Sequence, residues 1–316
     1  MKRSLLLLCI YFSLHCSAQK LEKFYDYTGT EVPDVSKARI FSIIEKKDSG
    51  WSKQDFYVRE SLQSMDGFFK DQKCEVEHGP FKYFHPNGMI RAKGTYTDGK
   101  KTGTWLSFHS NGMLRDSVTY NELGWVIGTR LGWHQNGYPS DSLLVQTDGS
   151  AVEVSWYDDG IPSYAGRYGP GKLKQGKWQY FHRNGKLSAL ETYEFNQLVN
   201  KVYYDESGTL MPDTTNRDRD AEFPGGNKAW SKYIHKKIYF PSQFKITNAD
   251  QVTVVVHWAV DEEGNVVEAE VVVPFHPEFD RIALDAIKKS PKWKPAISHN
   301  RKVKFYHRQA VNFSQE

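Results

Sequence analysis

Aromatic, polar and glycine positions recur six times between residues 79 and 212, in the same order each time. An aromatic residue stands four positions before each repeat glycine, and Asn, Asp or Ser stands directly before it. Successive glycines are 23 to 25 residues apart: Gly88, Gly112, Gly137, Gly160, Gly185 and Gly208. A period of this length is typical of tandem repeats whose units pack on their neighbours. The pattern predicts that nearly half of the chain is a repeat array.

Each unit is predicted to be a β-hairpin. In the second unit, the strand from Gly103 would lead into Asn111-Gly112, and Met113 to Tyr120 would form the return strand. Asn-Gly between alternating runs predicts a type I′ turn, in which both central residues have positive φ. Consecutive hairpins would pair edge to edge into one long antiparallel sheet, because a single hairpin is not stable alone.

Two sets of repeat side chains are candidates for ligand binding. We expect the aromatic ladder four positions before the glycines to form the core, and Trp105 and Trp178 to be exposed. Histidines recur three positions before four of the glycines: His85, His109, His134 and His182. Metal ligands must lie within about 2 Å of one ion, whereas successive repeats are about 10 Å apart, at two strands of ~4.8 Å. These histidines are therefore predicted to be a periodic surface position, and no metal or cofactor is expected.

The hydrophobic pattern changes after a charged stretch at 213–220. Helical spacing predicts a helix from Asn227 to Ile238, and alternation predicts a strand from Val252 to Val260, with a return strand from Val266 to Val273. A second helix, Pro277 to Lys289, and a last strand, Lys302 to Phe313, would follow. The order α, β-hairpin, α, β predicts a small α+β domain over residues 221–316.

The repeat motif Gly-x-Trp-x-x-Phe-His-x-Asn-Gly-x-Leu is clearest at Gly103 to Leu114 and Gly176 to Leu187. It resembles the MORN family of hairpin repeats, in the variant of YwqK-antitoxin-like proteins. The resemblance implies a hairpin fold and a scaffolding role, and it implies no reaction.

The C-terminal region resembles the C-terminal domain of TonB energy transducers. The matching stretches include Phe223-Pro-Gly-Gly226, Phe240-Pro241, the segment from Ser290 to Pro295, and Asn312-Phe313. The resemblance implies a protein or peptide partner in the cell envelope, such as a TonB-dependent outer-membrane receptor. It also implies that the last strand is the edge to which an extended peptide adds.

The last predicted strand alternates long polar and aromatic side chains, as an edge strand does when one face is packed. Val303 and Phe305 are expected to pack on the second helix, while Lys304 and Tyr306 are expected to face solvent. The predicted partner-binding residues are Lys302, Lys304, Tyr306 and Arg308.

The N-terminus has the pattern of a cleaved signal peptide over residues 1–18. A basic start precedes the apolar run from Leu5 to Leu14, and small residues follow before Gln19. Lipidation of Cys16 is the alternative. We expect export to the periplasm or cell envelope, with peripheral membrane association at most. The formal charge of +4 would fall by two on loss of Lys2 and Arg3, too little to indicate a nucleic-acid partner.

Together these patterns predict a mainly β protein. The expected order is an irregular β segment (19–78), six MORN-like hairpin repeats (79–212), a linker (213–220) and a TonB-like α+β domain (221–316). We expect a non-catalytic protein-interaction protein that binds peptides by β-strand addition, with the repeat sheet as its scaffold. The alternative function is a component of TonB-dependent, energy-coupled outer-membrane transport that works with an anchored partner. A hydrolase without a visible motif is a third class.

Overall fold

The computed structural model describes residues 20–58, 61–246 and 251–315 of the 316-residue chain. The expected signal peptide, residues 1–18, lies outside these ranges. One antiparallel sheet of 16 strands occupies residues 20–211, and a small α+β unit follows it. The 16 strands stand side by side in chain order. The prediction of a long antiparallel hairpin sheet is therefore confirmed.

The strands of this large sheet, which we call the repeat sheet, have the following bounds. They are β1 (Lys20–Tyr25), β2 (Ile40–Lys47), β3 (Gly50–Tyr57), β4 (Gln63–Phe69), β5 (Gly79–Phe84), β6 (Ile90–Thr97), β7 (Lys100–Phe108), β8 (Leu114–Tyr120), β9 (Val126–Trp133), β10 (Pro139–Val145), β11 (Ala151–Trp156), β12 (Pro162–Gly169), β13 (Leu173–Phe181), β14 (Leu187–Glu194), β15 (Gln197–Tyr204) and β16 (Leu210–Met211). Two short 3-10 helices, Val35–Lys37 and Pro170–Lys172, interrupt the connections.

The segment before the repeats differs from the irregular structure expected for it. Its strands β1 to β4 pair in register and continue directly into the first repeat. Their buried side chains join Phe81 and Trp105 of the repeats in one apolar cluster, to which they contribute Ile44, Trp51, Met65 and Phe69. The segment and the first repeats therefore share one apolar core.

The hairpin turns are of a different type from the one predicted. Gly88 has a φ of +82°, but the preceding Asn87 is absent from the residues with positive φ. The amide of Gly88 donates to the carbonyl of His85 at 2.9 Å, and the amide of His85 donates to Met89 O at 2.8 Å. This is a type I turn followed by a left-handed glycine, the usual three-residue hairpin loop. Only the glycine needs positive φ, so the asparagine is present for another reason.

The asparagine and histidine side chains connect each repeat to the next. Asn87 Nδ2 donates to the carbonyl of Ser110 at 2.7 Å, and His85 Nε2 lies 2.9 Å from the carbonyl of Phe108. The same pairs of bonds start from His109 and Asn111, His134 and Asn136, and His182 and Asn184. In the fourth repeat Tyr157 replaces the histidine, and its hydroxyl donates to Phe181 O at 2.7 Å. The histidines are therefore inter-repeat contacts, and two of them, His85 and His182, are buried rather than on the surface.

The side chains that form the core of the repeat sheet differ from those expected. Trp105 and Trp178, predicted to be exposed, are 4% and 1% exposed, whereas the aromatic ladder is only half-buried. Each tryptophan fills a space left by a glycine on the adjacent strand, because a Cβ on Gly94 or Gly166 would lie about 2 Å from the indole ring. Tyr168 packs edge-on against Trp178, with ring centroids 4.9 Å apart. The tryptophans are packing residues, and sequence reasoning missed the glycines that receive them.

The C-terminal unit consists of α1 (Gly226–Lys237), β17 (Gln251–Val260), β18 (Val266–Val273), α2 (Pro277–Lys288), β19 (Ala296–Ser298), β20 (Arg301–Val303) and β21 (Phe305–Ser314). Strands β18, β17 and β21 form a three-stranded sheet in that order, and β19 and β20 form a separate two-stranded hairpin. Buried residues of both helices and of β17 and β21 form one apolar cluster confined to residues 221–313. The predicted order of helices and strands is present, with the short β19–β20 hairpin as an addition.

The segment predicted to be a linker is partly incorporated into the C-terminal unit. The backbones of Arg219 and Ile297 exchange two hydrogen bonds of 2.9 Å, and Glu222 does the same with Lys294. The free part of the connection therefore ends before Arg219. Among the described residues, no helix is both long and apolar enough to cross a membrane.

Candidate functional site

The last strand, β21, is an edge strand of the C-terminal sheet. It pairs with β17 along its whole length, from Phe305 opposite Val260 to Ser314 opposite Gln251. Within the described residues no strand pairs with its other side. Val311 and Phe313 are each 1% exposed and anchor the strand in the apolar cluster. The strand is thus rigidly held while a row of backbone donors and acceptors stays open.

A groove of about 900 Å³ runs beside the open side of β21. Residues 309–315 form one wall, and the C-terminal end of α1 with the segment after it forms the other. This second wall carries apolar side chains between polar ones: Ile234, Ile238, Phe240 and Phe244. His235 and Lys245 add basic groups to it. An apolar groove beside an unpaired strand is suited to an extended peptide with alternate apolar side chains.

Contacts from α1 and from the chain after it fix the geometry of the groove. Trp230 Nε1 of α1 donates to Gln309 Oε1 of β21 at 2.6 Å. At the far end, the amide of Ile246 donates to Gln315 Oε1 at 2.7 Å. Phe240 and Phe244 both pack edge-on against Phe279 of α2. Hydrogen bonds to the side chains of Gln309 and Gln315 therefore connect the two walls at both ends of the groove.

The structure distributes the four predicted binding residues over different environments. Lys302 is exposed but belongs to β20, where it is opposite Ile297. Tyr306 and Arg308 lie in β21 opposite Ala259 and His257, on the exposed side of the strand. They lie in the N-terminal half of the strand, whereas the groove follows residues 309–315. The four residues therefore do not form one site.

Lys304 does not face solvent as expected. Its side chain is only 16% exposed, and its Nζ lies 2.7 Å from Glu268 Oε1 and 3.7 Å from Asp158 Oδ2 of the repeat sheet. Burial lowers the pKa of Lys304, but the hydrogen bond to Glu268 and the nearby carboxylates outweigh it and raise the pKa above its ordinary value. Tyr306 also donates to Glu268, at 2.9 Å. The reason for the difference is tertiary, because Glu268 of β18 binds the ammonium within the C-terminal unit and Asp158 of the repeat sheet adds a second, more distant carboxylate.

Val303 and Phe305 pack against the apolar cluster of the C-terminal unit, to which α2 contributes. Sequence reasoning missed the groove wall formed by residues 238–245, although Phe240-Pro241 was part of the family resemblance. It also missed His307, which stacks on Trp258 with ring centroids 5.1 Å apart. Burial lowers the pKa of His307, so the imidazole is held in its neutral form. In the described part of the chain, no group of three or more His, Cys, Asp or Glu side chains could hold a metal ion.

Comparisons with known proteins agree with this architecture. Residues 237–314 match the family described as Gram-negative bacterial TonB protein C-terminal. Three stretches, 77–98, 101–122 and 174–195, match the MORN repeat variant. No curated protein matches the chain.

One solved structure with a matching part is a crystal structure of an S. aureus TarM mutant in complex with fondaparinux, α-GlcNAc-glycerol and UDP. The identity is 12%, and the match covers 41% of this chain and 21% of that chain, with a TM-score of 0.16. The match thus spans about a fifth of that chain. A likeness this weak carries no argument. The family matches support a TonB-like protein of the cell envelope.

Proposed function

Because the chain carries a TonB C-terminal domain behind MORN-variant repeats, we propose that it is a non-catalytic envelope protein that binds an extended segment of a protein partner. The partner segment adds as a strand to the open side of β21. The observation that carries this proposal is the unpaired edge of β21 beside an apolar groove. The repeat sheet serves as the scaffold for this domain.

Strand addition would use two kinds of contact. The open backbone groups of β21 give affinity through main-chain hydrogen bonds, which do not depend on the partner's sequence. Alternate side chains of the added strand point to the same face, so every second residue would enter the groove beside Ile238 and Phe240. His235 and Lys245 favour an acidic residue at the groove margin. The expected ligand is a peptide of alternating apolar residues with an acidic one.

A proline substitution tests this mode of binding because it removes one backbone donor. In any strand, neighbouring residues direct their N–H groups to opposite sides. One of the two substitutions Arg308→Pro and Gln309→Pro therefore breaks a backbone hydrogen bond to β17 and destabilises the domain. The other removes a backbone donor from the open edge. Circular dichroism identifies the variant that folds normally, and this variant is the informative one.

Decapeptides selected on the full chain from a displayed library supply the ligand for the measurement. We expect selected peptides to protect β21 amides from hydrogen exchange, and we expect the folded proline variant to lose their binding. A proline at Val272, in the opposite edge strand β18, is the matched control and should leave binding intact. Protection at β18 instead of β21, or unchanged affinity in the folded β21 variant, would contradict strand addition at this edge.

The alternative is a component of TonB-dependent, energy-coupled outer-membrane transport that acts with an anchored partner. The family match of residues 237–314 favours it. The two proposals differ in the ligand. The alternative requires that the peptide bound by β21 be a segment of an outer-membrane receptor and that uptake through this receptor depend on this chain. Loss of uptake on deletion of the chain would support the alternative, and unaffected uptake would exclude it.

A further inference from the structure

A short turn of the C-terminal unit enters the face of the repeat sheet. Strands β19 and β20 have three residues each and are joined by His299 and Asn300, whose φ values are +51° and +59°. Ser298 and Arg301 face each other at the base of this turn. We call residues 298–301 the latch turn. Its geometry directs the side chains of His299 and Arg301 toward the repeats.

Arg301 occupies a cage of tyrosines on the repeat sheet. Its guanidinium carbon lies 5.5 Å from the ring centroid of Tyr180, 5.9 Å from that of Tyr157 and 6.0 Å from that of Tyr164. These distances are within the range of cation–π attraction. Arg301 is 7% exposed, and within the described ranges it forms no ion pair with an Asp or Glu. We call these three tyrosines, together with Glu191, the tyrosine cage.

His299 completes the contact. Its ring stacks on Tyr180 with centroids 3.7 Å apart and an angle of 9°. Its Nδ1 lies 2.9 Å from Glu191 Oε1, while the hydroxyl of Tyr193 donates to the other oxygen of Glu191 at 2.6 Å. Asn300 Nδ2 donates to the carbonyl of Tyr204 at 2.9 Å. The repeat sheet thus contributes aromatic faces, one buried carboxylate and one backbone carbonyl to its contact with the latch turn.

We propose that the tyrosine cage is a binding site for guanidinium-bearing segments, and that the latch turn of this chain is its ligand, so that the C-terminal unit docks reversibly on the repeat sheet. The contact has the chemistry of a recognition site, with aromatic faces around a guanidinium and a carboxylate beside an imidazole. The proposal does not depend on the peptide-binding function of β21.

Two observations favour reversible docking over one apolar core shared by the repeat sheet and the C-terminal unit. The apolar cluster of the C-terminal unit contains no residue of the repeat sheet, and the cluster around Trp178 contains none of the C-terminal unit. The repeat sheet and the C-terminal unit therefore each keep their own apolar core when the contact opens. In addition, the buried guanidinium has given up water without gaining a carboxylate partner, which limits the net stability of the docked state.

The docked state also fixes the position of the open strand. Arg301 lies in β20, and only Lys304 separates β20 from β21. Lys304 in turn contacts Asp158 of the sheet at 3.7 Å. A segment bound along β21 would consequently be held at a defined place beside the repeats, and its release would require the latch turn, the Lys304–Asp158 contact and the Arg183–Glu262 ion pair to open together.

The test compares variants of the full chain by hydrogen exchange. Arg301→Ala should raise exchange of the latch turn and of the facing amides of β12 and β13 by about tenfold, as expected for a lost desolvated cation–π contact. Arg301→Lys keeps the charge but loses the planar group, so its increase should be smaller. Lys302→Ala is the matched control, because Lys302 is the exposed next residue of the same hairpin, and it should change nothing.

Arginine amide is the probe for the vacated cage. It should protect β12 and β13 in Arg301→Ala but not in the wild-type chain, and lysine amide should protect them less. Three results would overturn the proposal. The first is exchange in Arg301→Ala equal to that in Lys302→Ala, and the second is no protection by arginine amide. The third is loss of protection in β17 as well, which would make Arg301 part of the core of the C-terminal unit.

Discussion

Removal of the Trp178 side chain is the most direct test of what holds the repeat sheet together. The ring is 1% exposed, packs against Tyr168 and fits over Gly166. Its Nε1 donates to the carbonyl of Arg167 at 3.1 Å, and the ammonium of Lys174 lies 4.5 Å from its centroid. Truncation of a buried tryptophan to alanine costs about 3–5 kcal/mol, because the cavity left over a glycine cannot collapse. We expect Trp178→Ala to lower the free energy of unfolding by about 4 kcal/mol.

The assay is urea unfolding followed by circular dichroism, with hydrogen exchange to locate the loss. Repeats couple mainly to their neighbours, so protection should fall in β12 to β14 and persist in β2 and β3. Trp125→Ala is the matched control, since Trp125 is a repeat-sheet tryptophan that is 71% exposed. Its effect should stay within about 0.5 kcal/mol.

An equal effect of the two substitutions would refute the reasoning. It would mean that the tryptophan positions do not form the core and that the half-buried aromatic ladder does. A uniform loss of protection across all 16 strands would contradict nearest-neighbour coupling instead, while leaving the role of Trp178 in place.

Three further predictions concern single residues. Gly112→Val should destabilise by about 1–2 kcal/mol in thermal unfolding through backbone strain at its φ of +84°, because an added Cβ would meet only Met89 Sδ at 3.5 Å; an unchanged melting temperature would contradict the left-handed turn. Asn111→Ala should cost about 1 kcal/mol by removing the bond to Gln135 O and the bond accepted from the Met113 amide, whereas the neighbouring Ser110→Ala should leave stability unchanged. Burial raises the pKa of Glu191, but bonds from His299 and Tyr193 outweigh it and hold the pKa below the ordinary 4.5. Stability from Glu191 is therefore complete above pH 4.5 and is lost as the pH falls through the folded value, and the acid unfolding profile of Glu191→Gln should lack this loss.

Local periodicity is enough to predict the repeat sheet. A recurring glycine behind a short polar turn closes a hairpin through backbone conformation alone, and this information is contained within about ten residues of each turn. The order of elements in the C-terminal unit follows in the same way from its alternating and helical spacings. The exact turn type was not predictable from Asn-Gly, because Asn87 has no positive φ and its side chain instead binds the Met89 amide of its own turn and a carbonyl 23 residues away in the next repeat.

What only the tertiary structure decided is which surface each side chain meets. Period-two alternation separates the two faces of a strand but does not say which face is covered, so Trp105 and Trp178 were assigned to the exposed side although glycines on neighbouring strands receive them. Lys304 stands two positions after the exposed Lys302 in the predicted last strand, yet Glu268 and Asp158 remove it from solvent. Arg301 carries no local sign that it enters a cage built by one turn and two strands more than a hundred residues before it. Contacts between residues distant in the chain depend on how strands pair and on how the C-terminal unit docks on the repeat sheet, and a local pattern contains no information about either.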